Sequence, residues 1–194
     1  GYKSLEGNLT GHSNVAIGSF ALDNANTNHN TAIGHEAMTN ATASECVAVG
    51  SRALKAHTSG ARNSALGSEA ATAVTTADDI TAIGRSCLAA CTTGDSNTAL
   101  GSKSLMANTT ANNNTAVGFQ ALTANTTGDH NVALGYNAAL ANTTGRNNVS
   151  VGANTLTSNT TGQKNVSLGN STLESATTAD KNTAIGNSAL NNTT

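Results

Sequence analysis

The side chains able to do chemistry are few and scattered. Five histidines, His12, His29, His35, His57 and His130, could serve as bases or metal ligands, but they occupy at least four different positions of the repeat described below. A nucleophile, its base and an orienting group would have to be gathered from distant segments. The histidines are therefore expected to be solvated loop residues. Asp78, Asp95, Asp129 and Asp180 share one repeat position and could offer carboxylates to calcium, which takes six to eight oxygens. Only Asp78 and Asp95 would sit on neighbouring levels, and Asp is also an ordinary turn residue, which is the expected role. Cys46, Cys87 and Cys91 are odd in number and lack zinc-ligand spacing, so they read as small core or turn residues. Asn108, Asn125, Asn142 and Asn159 each begin an Asn-Thr-Thr acceptor pattern for glycosylation, but Asn and Thr are equally turn formers. No catalytic constellation, cofactor site or metal site emerges, and the chain is expected not to be an enzyme.

Positioning is the stronger signal. Of 194 residues, 27 are Asn and 31 are Thr; 19 are Gly, none is Pro or Trp, and 10% are charged. Four aromatics cannot fill a large three-dimensional core, yet 37% hydrophobic residues at a net charge of −2 do not suit a disordered chain. Nine basic residues against eleven acidic ones leave no footprint for nucleic acid. No apolar run approaches the roughly 18 residues of a membrane span. No nucleic-acid partner and no membrane insertion of this segment are expected.

A glycine recurs at Gly18, Gly34, Gly50, Gly67, Gly84, Gly101, Gly118, Gly135, Gly152, Gly169 and Gly186, with Gly1 in phase; the spacing is 16 or 17 residues throughout. This leaves room for one repeat domain over residues 1–194. The chain starts and stops in mid-pattern, so a segment of a longer fibre is expected. Just before each glycine stands an aliphatic: Ile17, Ile33, Val49, Leu66, Ile83, Leu100, Val117, Leu134, Val151, Leu168 and Ile185. One residue earlier stands only Ala or Ser: Ala16, Ala32, Ala48, Ala65, Ala82, Ala99, Ala116, Ala133, Ser150, Ser167 and Ala184. Val, Thr or Ser precedes these, and before that comes Asn14, Asn30, Asn63, Asn97, Asn114, Asn131, Asn148, Asn165 or Asn182, with Cys46 and Ile80 as exceptions.

Alternation with β-branched residues predicts a short strand in each repeat. The aliphatic column is expected to face the core. The Ala/Ser column is expected on the opposite face, where its smallness suits close contact with another chain. The asparagines are expected to form a turn ladder. A mostly Leu column four residues after the glycines (Leu22, Met38, Leu54, Leu105, Leu122 and others, broken at Ala71 and Ala139) is compatible with a short strand or one helical turn. A coil offers two or three aliphatics, worth roughly 1.5–3 kcal/mol each, against a backbone ordering cost of about 1–2 kcal/mol per residue. One coil cannot fold alone, so the coils must stack.

The segments Asn114-Thr115-Ala116-Val117-Gly118 with Ala121-Leu122, and Asn131-Val132-Ala133-Leu134-Gly135, resemble the head repeats of trimeric autotransporter adhesins of the YadA type. They are closer still to the "NTAxGxxAL…NTTG" repeats of bacteriophage tail fibres and related bacterial surface fibres. The resemblance covers essentially the whole chain. It implies an all-β, left-handed parallel β-roll of about eleven 16–17-residue coils, assembled as a homotrimer, extracellular on a cell surface or virion. It also implies a partner in a host-cell or other extracellular surface receptor. The coil here is longer than the YadA-type one, the extra length lying in the Asn-Thr-Thr-Gly loop. Two alternatives remain open at this stage. One is a monomeric ice-binding solenoid using the Thr column Thr75, Thr92, Thr109, Thr126, Thr143, Thr160 and Thr177; the other is an extracellular filament shaft with no ligand.

Overall fold

The computed structural model describes residues 1–24 and 26–191. Each repeat contributes one three-residue strand: β1 (Val15–Ile17), β2 (Thr31–Ile33), β3 (Val47–Val49), β4 (Ser64–Leu66), β5 (Thr81–Ile83), β6 (Thr98–Leu100), β7 (Thr115–Val117), β8 (Val132–Leu134), β9 (Val149–Val151), β10 (Val166–Leu168) and β11 (Thr183–Ile185). They form a single parallel sheet in sequence order, and every column pairs with itself, as in Thr115↔Val132, Ala116↔Ala133 and Val117↔Leu134. The fold is an all-β parallel β-solenoid of about ten turns. Among the described residues there is no helix.

The Leu half of the coil is neither strand nor helical turn. Two left-handed residues punctuate it, for example Gln120 (φ 57) and Leu122 (φ 51), and a third, Asn113 (φ 58), stands just before the Asn column. Such angles cost a side-chain-bearing residue roughly 1–2 kcal/mol each. The coil meets that cost by stacking, because bends at equivalent positions place N–H groups against carbonyls of a neighbouring level: Leu122 N–H donates to Ala138 O of the next coil at 3.0 Å, and Gln120 N–H to Ser102 O of the preceding one at 3.1 Å. Gly118, at φ +134, shows why glycine recurs, since a Cβ there would lie 2.3 Å from the Gly135 carbonyl oxygen.

The interior is narrow, and this inverts the faces expected from the strand pattern. Leu22, Met38, Leu54, Leu88, Leu105, Leu122, Leu156 and Leu173 fill it from one wall. Opposite them, the strands turn their Ala or Ser inward: Ala32, Ala48, Ala65, Ala82, Ala99, Ala116, Ala133, Ser150, Ser167 and Ala184 are buried, and Ala16 is half-buried against the same core. Their smallness answers to the Leu wall across the coil, not to a neighbouring chain. The residues expected in the core, Ile17, Ile33, Val49, Leu66, Ile83, Leu100, Val117, Leu134, Val151, Leu168 and Ile185, point outward, and none of them is buried.

Candidate functional site

With the faces assigned, the outer surface of the sheet carries two parallel ranks. One is the Val/Thr/Ser column from Val15 to Thr183; the other is the aliphatic column from Ile17 to Ile185. Along the second rank five residues are exposed, Ile17 58%, Leu66 48%, Leu100 43%, Leu168 44% and Ile185 66%, and the six others are half-buried. At about 4.8 Å per strand, the ten steps from β1 to β11 make an apolar stripe about 48 Å long. All four aromatic side chains also lie outside the core, in two pairs. Tyr2 and Phe20 meet edge to face at 5.4 Å, and Phe119 and Tyr136 stack at 5.7 Å.

The asparagine column before the strand lies inside the coil rather than at its surface. Asn30, Asn63, Asn97, Asn114, Asn131, Asn148 and Asn165 are buried, while Asn14 and Asn182 at the ends are half-buried. Each Oδ1 accepts the backbone N–H of the same column one coil on, as from Asn131 to Asn114 (2.9 Å) and from Asn148 to Asn131 (3.0 Å). Most Nδ2 groups reach a carbonyl in the following loop, as from Asn148 to Gly162 O (2.8 Å), whereas those of Asn114 and Asn182 donate to Oδ1 of the preceding asparagine at 3.3 and 3.2 Å. This division of labour satisfies both ends of a buried amide, which would otherwise cost about 1–3 kcal/mol per unmatched group.

A second ladder stands in the Asn-Thr-Thr loop, where sequence reasoning saw only turn chemistry. Asn108, Asn125, Asn142 and Asn159 are fully buried, and Nδ2 of each of the last three donates to Oδ1 of the one before at 3.1, 2.8 and 2.8 Å along the series. Their amide groups are thus consumed inside the folded coil and are not presented as glycosylation acceptors. The regular 17-residue recurrence of Asn was the available signal; it did not reveal that these side chains turn inward. The neighbouring Thr column is engaged as well. The hydroxyls of Thr75, Thr92, Thr109, Thr126, Thr143 and Thr160 donate to the carbonyl of the next level at 2.9–3.2 Å. The aspartates act similarly in the loop before the strand: Asp78, Asp95, Asp129 and Asp180 each accept a backbone N–H from the preceding coil at 2.6–2.9 Å.

The histidines part company. His12, His29, His35 and His130 are exposed, but His57 is fully buried, contrary to the expectation of a loop residue. It occupies the second-ladder position, and Cys46 replaces asparagine in the first. The two meet with Cys46 Sγ 4.0 Å from His57 Nε2, and Asn63 Nδ2 lies 3.1 Å from the same nitrogen. Burial depresses the His57 pKa and raises those of all three thiols, with Cys87 pushed up to about 12. The neutral forms are therefore favoured, the opposite of what a thiolate nucleophile requires. All three cysteines are free.

Elsewhere the surface carries ion pairs, including Lys55–Glu36 at 2.8 Å and Arg62–Asp79 at 2.7 Å. The Lys55 hydrogen bond holds the Glu36 carboxyl below its ordinary pKa. Exposed pairs of this kind are worth little on their own. Among the described residues there is no pocket and no group of three or more His, Cys, Asp or Glu arranged to hold a metal.

No family model, curated protein or solved structure matches this chain. The functional reading therefore rests on the geometry of the outer sheet face and on the motif resemblance. No helix is long and apolar enough to cross a membrane among the described residues.

Proposed function

We propose that this chain is a non-enzymatic segment of a homotrimeric fibre, extracellular on a cell surface or virion, that serves as shaft or head in attachment to a receptor-bearing surface. The observation that carries the reading is the outward aliphatic rank, unbroken over all eleven strands. A contiguous exposed apolar patch of more than a few hundred Å² marks an interaction surface. A partner that matches the stripe along its whole length needs the same axial repeat, and a second copy of this chain has it. The number three and the left-handed sense of the coil come from the YadA-type and tail-fibre resemblance. The axial contact belongs to the Val117/Leu134 rank, whereas the Ala116/Ala133 column lies inside the coil and cannot supply it.

Mass in solution by light scattering tests the assembly. The native chain is expected at three times its 19.2 kDa. Val117→Glu with Leu134→Glu is expected to give a folded protein of lower mass, because these side chains face outward. Ala116→Glu with Ala133→Glu is expected to unfold it, because a carboxylate would enter the core. A native monomer would overturn the trimer. A second reading, ice binding, finds better geometry on the strand face than on the loop, because there the Val/Thr and aliphatic ranks run side by side and the loop Thr hydroxyls are already bonded. Thermal hysteresis from a monomer would select it. A ligand-free filament shaft predicts trimers that fail to bind any cell surface.

A further inference from the structure

His57 stands where the two interior ladders are interrupted together; its burial and the Asn63 amide beside it favour the uncharged ring, against the Gly60 carbonyl and Asp78, which favour the proton. Its Nε2 lies 3.1 Å from the Asn63 amide Nδ2 and 4.0 Å from Cys46 Sγ, whose single S–H also has the Ser44 and Gly60 carbonyls within reach at 3.5 and 3.6 Å. Asn63 Nδ2 is fixed in that role, because it also donates to Ala77 O at 2.7 Å. His57 Nδ1 makes no hydrogen bond. The residues above and below in the same column, Ala41 and Val74, are buried and apolar, so neither side chain can accept a proton from the ring. A proton added to Nε2 would point at the Asn63 NH2 and the Cys46 sulfur, and it would place a positive charge on a fully buried ring.

We propose that the coil from Cys46 to Asn63 is an acid-sensitive joint, opened locally by protonation of His57 while the asparagine-laddered coils beyond Asn97 stay closed.

The charged surroundings do not offset this. At the start of the same coil the titratable group facing His57 is Cys46, a thiol kept neutral by burial. From the following coil it is Asp78, whose charge favours protonation but whose Oδ1 is held by Ala61 N–H at 2.7 Å. Arg62, next to Asn63, is paired with Asp79. Burial outweighs both the Gly60 carbonyl and Asp78, so the closed coil binds a proton on His57 less readily than the open one does. The open form has an ordinary histidine pKa of about 6.5, so opening is favoured as pH falls below that value and levels off below the closed-state pKa.

Hydrogen exchange on the full 194-residue chain between pH 7.5 and pH 5, with protection corrected for intrinsic exchange, tests the joint. Protection of amides in 46–63 is expected to fall by up to about tenfold per pH unit below about 6.5, while that of 114–165 holds steady. His57→Asn, which places the ladder's usual residue there, is expected to abolish the fall. Constant protection of 46–63, an equal fall in both regions, or an unchanged fall in His57→Asn would overturn the proposal. The imidazole of the unmodified protein gives an independent readout by NMR. A midpoint below about 6.5 is expected; one at or above it overturns the proposal even if the variant does not fold.

Discussion

The coils from Asn97 to Asn165 and those from Cys46 to Cys91 share one backbone but fill the same two interior columns by different chemistry. In the later stretch the columns are asparagine at each successive level, Asn97–Asn114–Asn131–Asn148–Asn165 and Asn108–Asn125–Asn142–Asn159. In the earlier stretch Cys46 and Ile80 interrupt the first column, and His57, Val74 and Cys91 fill the second. Strand register is the same in both. The solenoid therefore does not need the ladders in order to stack. It needs each interior column to be either polar and paired or apolar and packed. The weak points fall at the borders between the two chemistries. Asn159 Oδ1 has no partner where Ala176 follows it, His57 Nδ1 has none between Ala41 and Val74, and Asn108 Nδ2 meets Cys91 Sγ at 3.7 Å.

The largest test of this contrast is Asn125→Val, which copies into the laddered stretch the residue that position 74 carries in the other. It strips Asn108 Oδ1 and the Gly128 carbonyl of their donor, while Asn142 Nδ2 loses one acceptor and keeps Gly145 O. Two orphaned buried groups at about 1–3 kcal/mol each predict a loss of about 2–4 kcal/mol, since Asn142 Nδ2 keeps its second bond. Denaturant midpoints of the folded chain would show it. Adding Asn142→Val should cost less than the first change, because replacing both partners by apolar groups removes the mismatch between them. Strict additivity would show that the ladder contributes no coupling.

Alkaline pH probes the thiol-bearing stretch. Burial raises the Cys87 pKa to about 12, so the thiol stays protonated in the folded coil while the unfolded chain ionises near 8.5. The unfolded state then binds fewer protons, and stability falls as pH rises from about 8.5 toward the folded value, by up to about 1.4 kcal/mol per pH unit. Cys87→Ala, matching Ala70 and Ala121 in the same column, should remove that part of the slope. Unfolding followed from pH 8 to pH 10 in both proteins would measure it; identical slopes would refute the assignment.

These contrasts also show what the residues could and could not reveal in advance. The coil length, strand positions and stacking were legible because Gly118 and its equivalents recur without a break. Which side of the strand faces inward was not. Alternation states that Ala116 and Val117 oppose each other, but the choice depends on what fills the coil from the far wall, and the wall is set by Leu122 in a left-handed backbone that its residue type does not announce. The buried ladder of Asn108 to Asn159 was read as surface turn for a related reason. Its side chains are polar, and only the register of neighbouring coils shows that each amide finds its partner in the next copy of itself.

The smallest effect is expected where the laddered stretch ends. Asn159 Oδ1 lies unpartnered against Ala176, which is buried. In Ala176→Asn the new Nδ2 would occupy the place that Asn159 Nδ2 holds toward Asn142 Oδ1, at 2.8 Å. The gain is limited to about 0.5–1 kcal/mol, because the new side chain brings its own Oδ1 and moves the unmatched oxygen one coil further along. A rise in the denaturant midpoint of Ala176→Asn, absent in Ala176→Val, would show that the ladder can be lengthened one level at a time. Equal midpoints would mean that the border after Asn159 is already relieved by some other contact.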